Sequence, residues 1–145
     1  MRSLLMMLAV AATAALSLGS PADAASKARP AIEVWKSPTC RRCQKWADYL
    51  TEKGFTVSTR NTTRSMLNRI KQQVGIAPKL ASCHTALIDG YTIEGHVPAA
   101  DIKRLLRERP DAVGLSVPDM PLGSPGMEQP DGKTEPYEVL LVKND

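Results

Sequence analysis

The chain has 145 residues, of which three are cysteine and 23% are charged, with a formal net charge of +4. That length suits one domain with a single buried core; the cysteines are too few for a disulfide scaffold, and the positive balance is too mild for a nucleic-acid binder, because the basic residues are scattered and lack aromatic partners along one face. The cluster Arg60, Arg64, Arg69 and Lys71 reads as a solvated helix face.

Met1-Arg2 makes a short positive start, residues 4–18 an apolar run rich in Leu and Ala, and Ala22-Asp23-Ala24 a small-x-small cleavage pattern. Residues 1–24 are therefore expected to be a secretory signal peptide, and residues 25–145 one mature domain. The apolar run is shorter than the roughly 20 residues that span a bilayer, and no second one follows, so the mature chain is expected to be soluble, exported to the periplasm and without a membrane span. Retention of the leader as a tether is the alternative reading.

Residues 31–35 alternate and are rich in strand formers, and Ser37-Pro38-Thr39 breaks the run. From Arg42 the positions Trp46, Tyr49 and Leu50 recur at helical spacing until Gly54. Residues 55–58 read as a second strand, and residues 65–74 as a helix with Met66, Leu67, Ile70 and Val74 on its core side, closed by Gly75. After a loop over 76–82, residues 85–88, Asp89-Gly90 and residues 91–94 give a hairpin signal, because Asp-Gly suits a two-residue primed turn. Val97-Pro98 ends that strand, and residues 99–109 make a helix with Ile102, Leu105 and Leu106 inward, stopped by Pro110. A Pro/Gly-rich loop over 117–136 and a short terminal strand over 137–142 complete the chain. The predicted class is α/β, in the order βαβαββα with the Pro/Gly-rich C-terminal loop and short extra strand.

Cys40-Arg41-Arg42-Cys43 falls between the first strand and the first helix, and in that order the chain resembles the thioredoxin and glutaredoxin fold. A helix N-terminus carries partial positive charge and free amide donors, which favour thiolate over thiol, and Arg41 and Arg42 add two permanent charges. In the thioredoxin arrangement Cys40 is the exposed nucleophile and Cys43 the resolving thiol. An inert disulfide is the bland alternative. In an oxidising compartment thiols at this spacing either trade electrons or hold a metal.

A two-residue turn at Asp89-Gly90 sets Ile88 against Tyr91, Leu87 against Thr92 and Cys83 across from His96. Directly opposed Cβ atoms are about 5 Å apart, so that thiol and imidazole are placed for a soft metal or for proton transfer. On a regular strand His84 points away from Cys83, but Ser82-Cys83-His84 lies at the ragged beginning of the strand, which leaves the direction of His84 open. Glutaredoxin-like chains usually carry a cis proline just before this strand. Here Cys83-His84-Thr85 aligns with that segment, which favours metal over plain disulfide exchange. Singly, Cys83 reads as a small buried hydrophobe and each histidine as a surface or capping residue; together the donors converge on one edge.

The run Lys36-Ser37-Pro38-Thr39-Cys40, the segment 80–86 around Cys83-His84, the stretch 93–99 around His96 and the loop 117–127 carry a further resemblance. Over nearly all of the mature chain the sequence resembles the bacterial family of predicted metal-binding proteins related to the periplasmic copper-resistance protein CopG. The resemblance implies a thioredoxin-like domain that binds copper through cysteines and histidine and shuttles it between oxidation states. Many members carry a further cysteine between the two at Cys40 and Cys43. This chain has Arg41-Arg42 there, which points to one or two ions rather than a multinuclear cluster. On the loop, Met120 and Met127 are thioethers on an exposed, stiffened segment, and thioethers select Cu(I) where free thiols do not last. A loop methionine also fills gaps in packing.

The expected function is periplasmic copper binding in copper resistance or homeostasis. Cu(I) is held by Cys40, Cys43 and Cys83 with His96 or His84, joined by Met120 and Met127, and Cu(I)/Cu(II) cycling involves other copper-handling or reductant proteins. The alternative is a thiol-disulfide oxidoreductase in which Cys40 and Cys43 are the redox pair and Cys83 and the histidines are structural. A closed zinc site of three cysteines and one histidine matches the ligand count and ranks behind copper, since it gives the methionines no role. There is no Gly-rich phosphate loop and no Cys-x-x-Cys-His, and hence no sign of a nucleotide, flavin or haem site.

Overall fold

The computed structural model describes residues 29–144; the expected leader and its cleavage point lie outside the described residues. Strand β1 (Ala31–Lys36) alternates buried Ile32 and Val34 with less buried neighbours, as a strand covered more on one face does. Helix α1 (Arg41–Glu52) follows, with Cys43, Trp46, Ala47 and Leu50 on its buried stripe. Strand β2 (Thr56–Asn61) begins one residue later than the expected 55–58 and extends to Asn61. Arg60 thus sits on a strand, where it pairs with Glu33 of β1 rather than lying on a helix.

Helix α2 (Arg64–Gln73) is capped by the Thr63 hydroxyl, which accepts the Met66 amide at 3.2 Å. Two side chains on it reverse their expected places. Met66, assigned to the core, is 47% exposed, because it belongs to the first turn and faces away from the buried Leu67. Lys71, assigned to a solvated basic face, is buried. Arg64 and Arg69 are exposed as expected. A single 3-10 turn (Pro78–Leu80) lies within the expected loop.

Strands β3 (His84–Ile88) and β4 (Tyr91–Glu94) form the hairpin in the expected register, Ile88 facing Tyr91 and Leu87 facing Thr92. Helix α3 (Ala99–Glu108) buries Ile102 and Leu105 and ends in a left-handed Arg109. Strand β5 (Gly114–Ser116) was not among the expected elements, and β6 is confined to Leu140–Val142 instead of starting at 137. The signal for β5 was present in the apolar alternation Val113, Leu115, Val117, but Gly114 interrupts it.

One six-stranded sheet runs in the order β2-β1-β3-β4-β5-β6. β1 pairs in parallel with β2 and antiparallel with β3, while β4 pairs in parallel with β5. The α/β class and the βαβαββα order are as expected, the expected extra strand is β6, and β5 is added between it and β4. Trp46, Leu50, Phe55, Ile32, Ile93 and Ile102 are at the centre of the core. The order puts the start of α1, the start of β3 and the end of β4 at one end of the sheet.

Candidate metal centre

Cys40 is the N-cap of α1, and its sulfur accepts the Cys43 amide at 3.3 Å. A capping sulfur sits where the helix dipole and free amides favour negative charge. Cys43, one turn in, is fully buried, and the two sulfurs are joined as a disulfide. Cys83 is a free, half-buried thiol. The sulfurs of Cys40, Cys43 and Cys83 all lie within 4.8 Å of one another.

Cys83 also belongs to a second group. Its sulfur is 3.2 Å from His96 Nε2 and 3.3 Å from His84 Nδ1, and these three atoms again fall within 4.8 Å of one another. The approach of His96 follows from the hairpin register. That of His84 does not: Cys83 precedes the first residue of β3, so strand alternation does not hold between the two, and His84 turns its ring toward the thiol instead of away. Trp46 on one side and His96 on the other pack the His84 ring, at centroid distances of 4.4 and 5.0 Å.

The carbonyl of Pro125 fixes the His96 tautomer. A carbonyl only accepts, so His96 Nδ1 donates to it at 2.8 Å and Nε2 keeps its lone pair toward Cys83. That is the arrangement a ligating imidazole needs. Burial lowers the pKa of His96. His84 is pushed well below its usual value, by burial first and by His96 and Lys71 next, and its Nε2 is buried without a hydrogen-bond partner. Both rings are therefore neutral and able to donate to a metal. Burial raises the Cys83 thiol, while the Ser82 hydroxyl and the Lys71 charge pull it back.

The loop over 117–136 is not the exposed strap expected from its composition. It lies across the first turns of α1, where Gly126 has φ +84° and an added Cβ would come within 2.8 Å of the Trp46 nitrogen. Met127 is buried there. Met120 is 43% exposed and lines a cleft of about 620 Å³ together with Cys40, Cys83, Arg64 and Lys71. The structure thus brings together Cys40, Cys43, Cys83, His84 and His96, and sets Met120 on the cleft that Cys40 and Cys83 line. Sequence reasoning missed the Pro125 carbonyl, which no side-chain pattern reveals, and the Lys71–Glu94 pair behind Cys83.

A mixed α/β sheet with thiols and neutral imidazoles gathered at one end defines a protein equipped for soft metals or thiol exchange. Comparison with known proteins narrows the class. Residues 80–127 match the family described as Protein of unknown function, DUF411, while no curated protein matches the chain. The solved structure titled Copper resistance protein copG- Form 1 is 42% identical, with a TM-score of 0.72, over 78% of this chain and 87% of that one. Form 2 of the same protein is 43% identical, also at 0.72, over 79% and 90%. The chain belongs to the family of the copper resistance protein CopG.

Proposed function

We propose that the protein binds copper in the periplasm as part of copper resistance, holding Cu(I) through Cys40, Cys43, Cys83 and His96, with His84 beside them. The observation that carries the reading is the placement of Cys83, whose sulfur lies 3.2 Å from His96 Nε2 and within 4.8 Å of both other cysteine sulfurs. Thiolates and imidazoles suit Cu(I), and likeness to a copper resistance protein supports copper as the metal. Zinc fits the same donors less specifically. Export rests on the leader at 1–24, and the first residue of the chain recovered from the periplasm checks it.

The two donor groups share Cys83, and the disulfide decides which is available. With Cys40 and Cys43 reduced, three sulfurs face one point. With the pair closed, one sulfur and two imidazole nitrogens remain, a harder set better suited to Cu(II). Two Cu(II) ions each accept one electron as the two thiolates become one disulfide, which gives two Cu(I). A dithiol reductant reopens the pair and is itself oxidised to a disulfide, while Cu(I) returns to Cu(II) only by giving its electron to a separate one-electron oxidant. The reading thus includes Cu(I)/Cu(II) cycling linked to the state of Cys40 and Cys43.

Anaerobic titration of the reduced mature protein with Cu(I) against a competing chelator tests the reading. Tight binding that collapses in Cys83→Ser is the expected result, and weak binding indifferent to Cys83 overturns it. The second reading, a thiol-disulfide oxidoreductase, is favoured by one observation: Cys40 stands at the helix start, closed on Cys43 and lining the cleft. It predicts disulfide reduction that survives Cys83→Ser.

A further inference from the structure

A buried ion pair stands behind Cys83. Lys71 Nζ of α2 meets Glu94 Oε1 of β4 at 2.5 Å, with side chains 7% and 0% exposed. Glu94 Oε1 also accepts the Ser82 amide at 2.7 Å, while Oε2 accepts the Thr85 hydroxyl at 2.7 Å, and Thr85 in turn accepts from Lys71 Nζ at 2.9 Å. Taking two charges out of water costs several kcal/mol each, and apolar residues of similar volume are often as stable or more so. Stability of the fold therefore gives no reason for this pair.

Its position does. Thr85 and Glu94 are the last rung of the β3–β4 ladder on the site side. Past that rung the hairpin opens, with Cys83 on one arm and His96 on the other. Besides the Cys83–His96 contact itself, two bonds tie the arms: Gly95 N to the His84 carbonyl at 3.2 Å, and the Glu94 carboxylate to the amide of Ser82, the residue before Cys83. One carboxylate thus sets where the thiol-bearing arm lies relative to the imidazole-bearing arm. Lys71 holds the carboxylate from the far side and reaches the wall of the cleft that Cys40 and Cys83 line, a cation beside donors that are anionic when they hold a metal.

Resting on the reading of this site as a copper centre, we infer that Lys71 and Glu94 are its positioning residues: Glu94 sets the approach of Cys83 to His96 through the Ser82 amide, and Lys71 keeps that carboxylate in place. Neither touches the metal. Outer partners of this kind commonly account for 10–100-fold in metal affinity (roughly, across sites).

Two double variants of the full mature chain test the inference, because each removes both charges and leaves no unpaired ion. Lys71→Met with Glu94→Leu deletes the acceptor for Ser82; Lys71→Met with Glu94→Gln keeps one. The measurements are the urea midpoint, Cu(I) affinity of the reduced protein by chelator competition, and the ring nitrogen shifts of His96 in the metal-free protein. The Leu variant is expected to match or exceed the wild-type midpoint, to lose about 10–100-fold in affinity and to shift the His96 Nε2 signal as the Cys83 thiol moves away, while Pro125 keeps the tautomer. The Gln variant is expected to recover most of the affinity and the wild-type Nε2 signal.

Unchanged affinity and shifts in the Leu variant overturn the inference, and so does a loss of affinity that only follows a loss of stability. If the Leu variant does not fold, a folded Gln variant with fully lost affinity overturns it instead. Wild-type protein that ignores Cu(I) sinks the copper reading, and the His96 shifts then still decide whether the carboxylate positions the two arms.

Discussion

Two imidazoles are buried beside one thiol, and a buried imidazole resists protonation. His84 and His96 both have pKa values lowered by burial, so the folded chain binds fewer protons than the unfolded one below the ordinary histidine value of about 6.5. The unfolded state gains the protons, and stability falls as pH drops through that value and continues to fall until the folded-state values are reached. Urea unfolding of the metal-free protein should show a lower midpoint at pH 5 than at pH 7.5, with a slope approaching about 1.4 kcal/mol per pH unit for each histidine. A flat profile in that window would contradict the burial. The donor residues were legible individually, because cysteine and histidine are few and their spacings stand out. Lys71 was not: a lysine among arginines on an amphipathic helix reads as solvated, and only the carboxylate arriving from β4 makes its burial tolerable.

The β3–β4 hairpin sets the thiol–imidazole pair, and Gly95 lets its arms stay close. Gly95 has φ +73°, and a Cβ there would stand 2.4 Å from the Val117 carbonyl oxygen and 2.6 Å from the Ser82 side chain. Gly95→Ala should therefore destabilise by about 2 kcal/mol or more and weaken Cu(I) binding as Ser82-Cys83 is displaced; urea unfolding and chelator competition read the two effects separately. The hairpin register was legible because Asp-Gly dictates a two-residue turn and a period of two propagates from it. The orientation of His84 was not, since the alternation rule applies only within the ladder and Cys83 lies just outside it. β5 was missed for a related reason: three residues with a glycine in the middle carry little local signal, and their pairing partners β4 and β6 are distant in sequence.

At the scale of the whole molecule, α1, the hairpin and the C-terminal loop meet at one end of the sheet, and on the copper reading the redox state of Cys40 and Cys43 selects the donors offered there. Protein oxidised to the Cys40–Cys43 disulfide should bind Cu(I) at least about tenfold more weakly than the reduced protein, a difference of about 1.4 kcal/mol or more, with a thiol reductant restoring the affinity. Equal affinity in both states would mean that Cys40 and Cys43 are not donors. The sequence by itself determined the α/β class, the element order, the hairpin register and the candidate donor residues, because these depend on local periodicity, turn chemistry and rare side chains. Only the tertiary structure decided that Met127 is buried and Met66 exposed, that the Pro125 carbonyl sets the His96 tautomer, and that Lys71 reaches Glu94 behind Cys83. Those contacts join residues far apart in the chain, and no local pattern records a partner that only folding brings within hydrogen-bond distance.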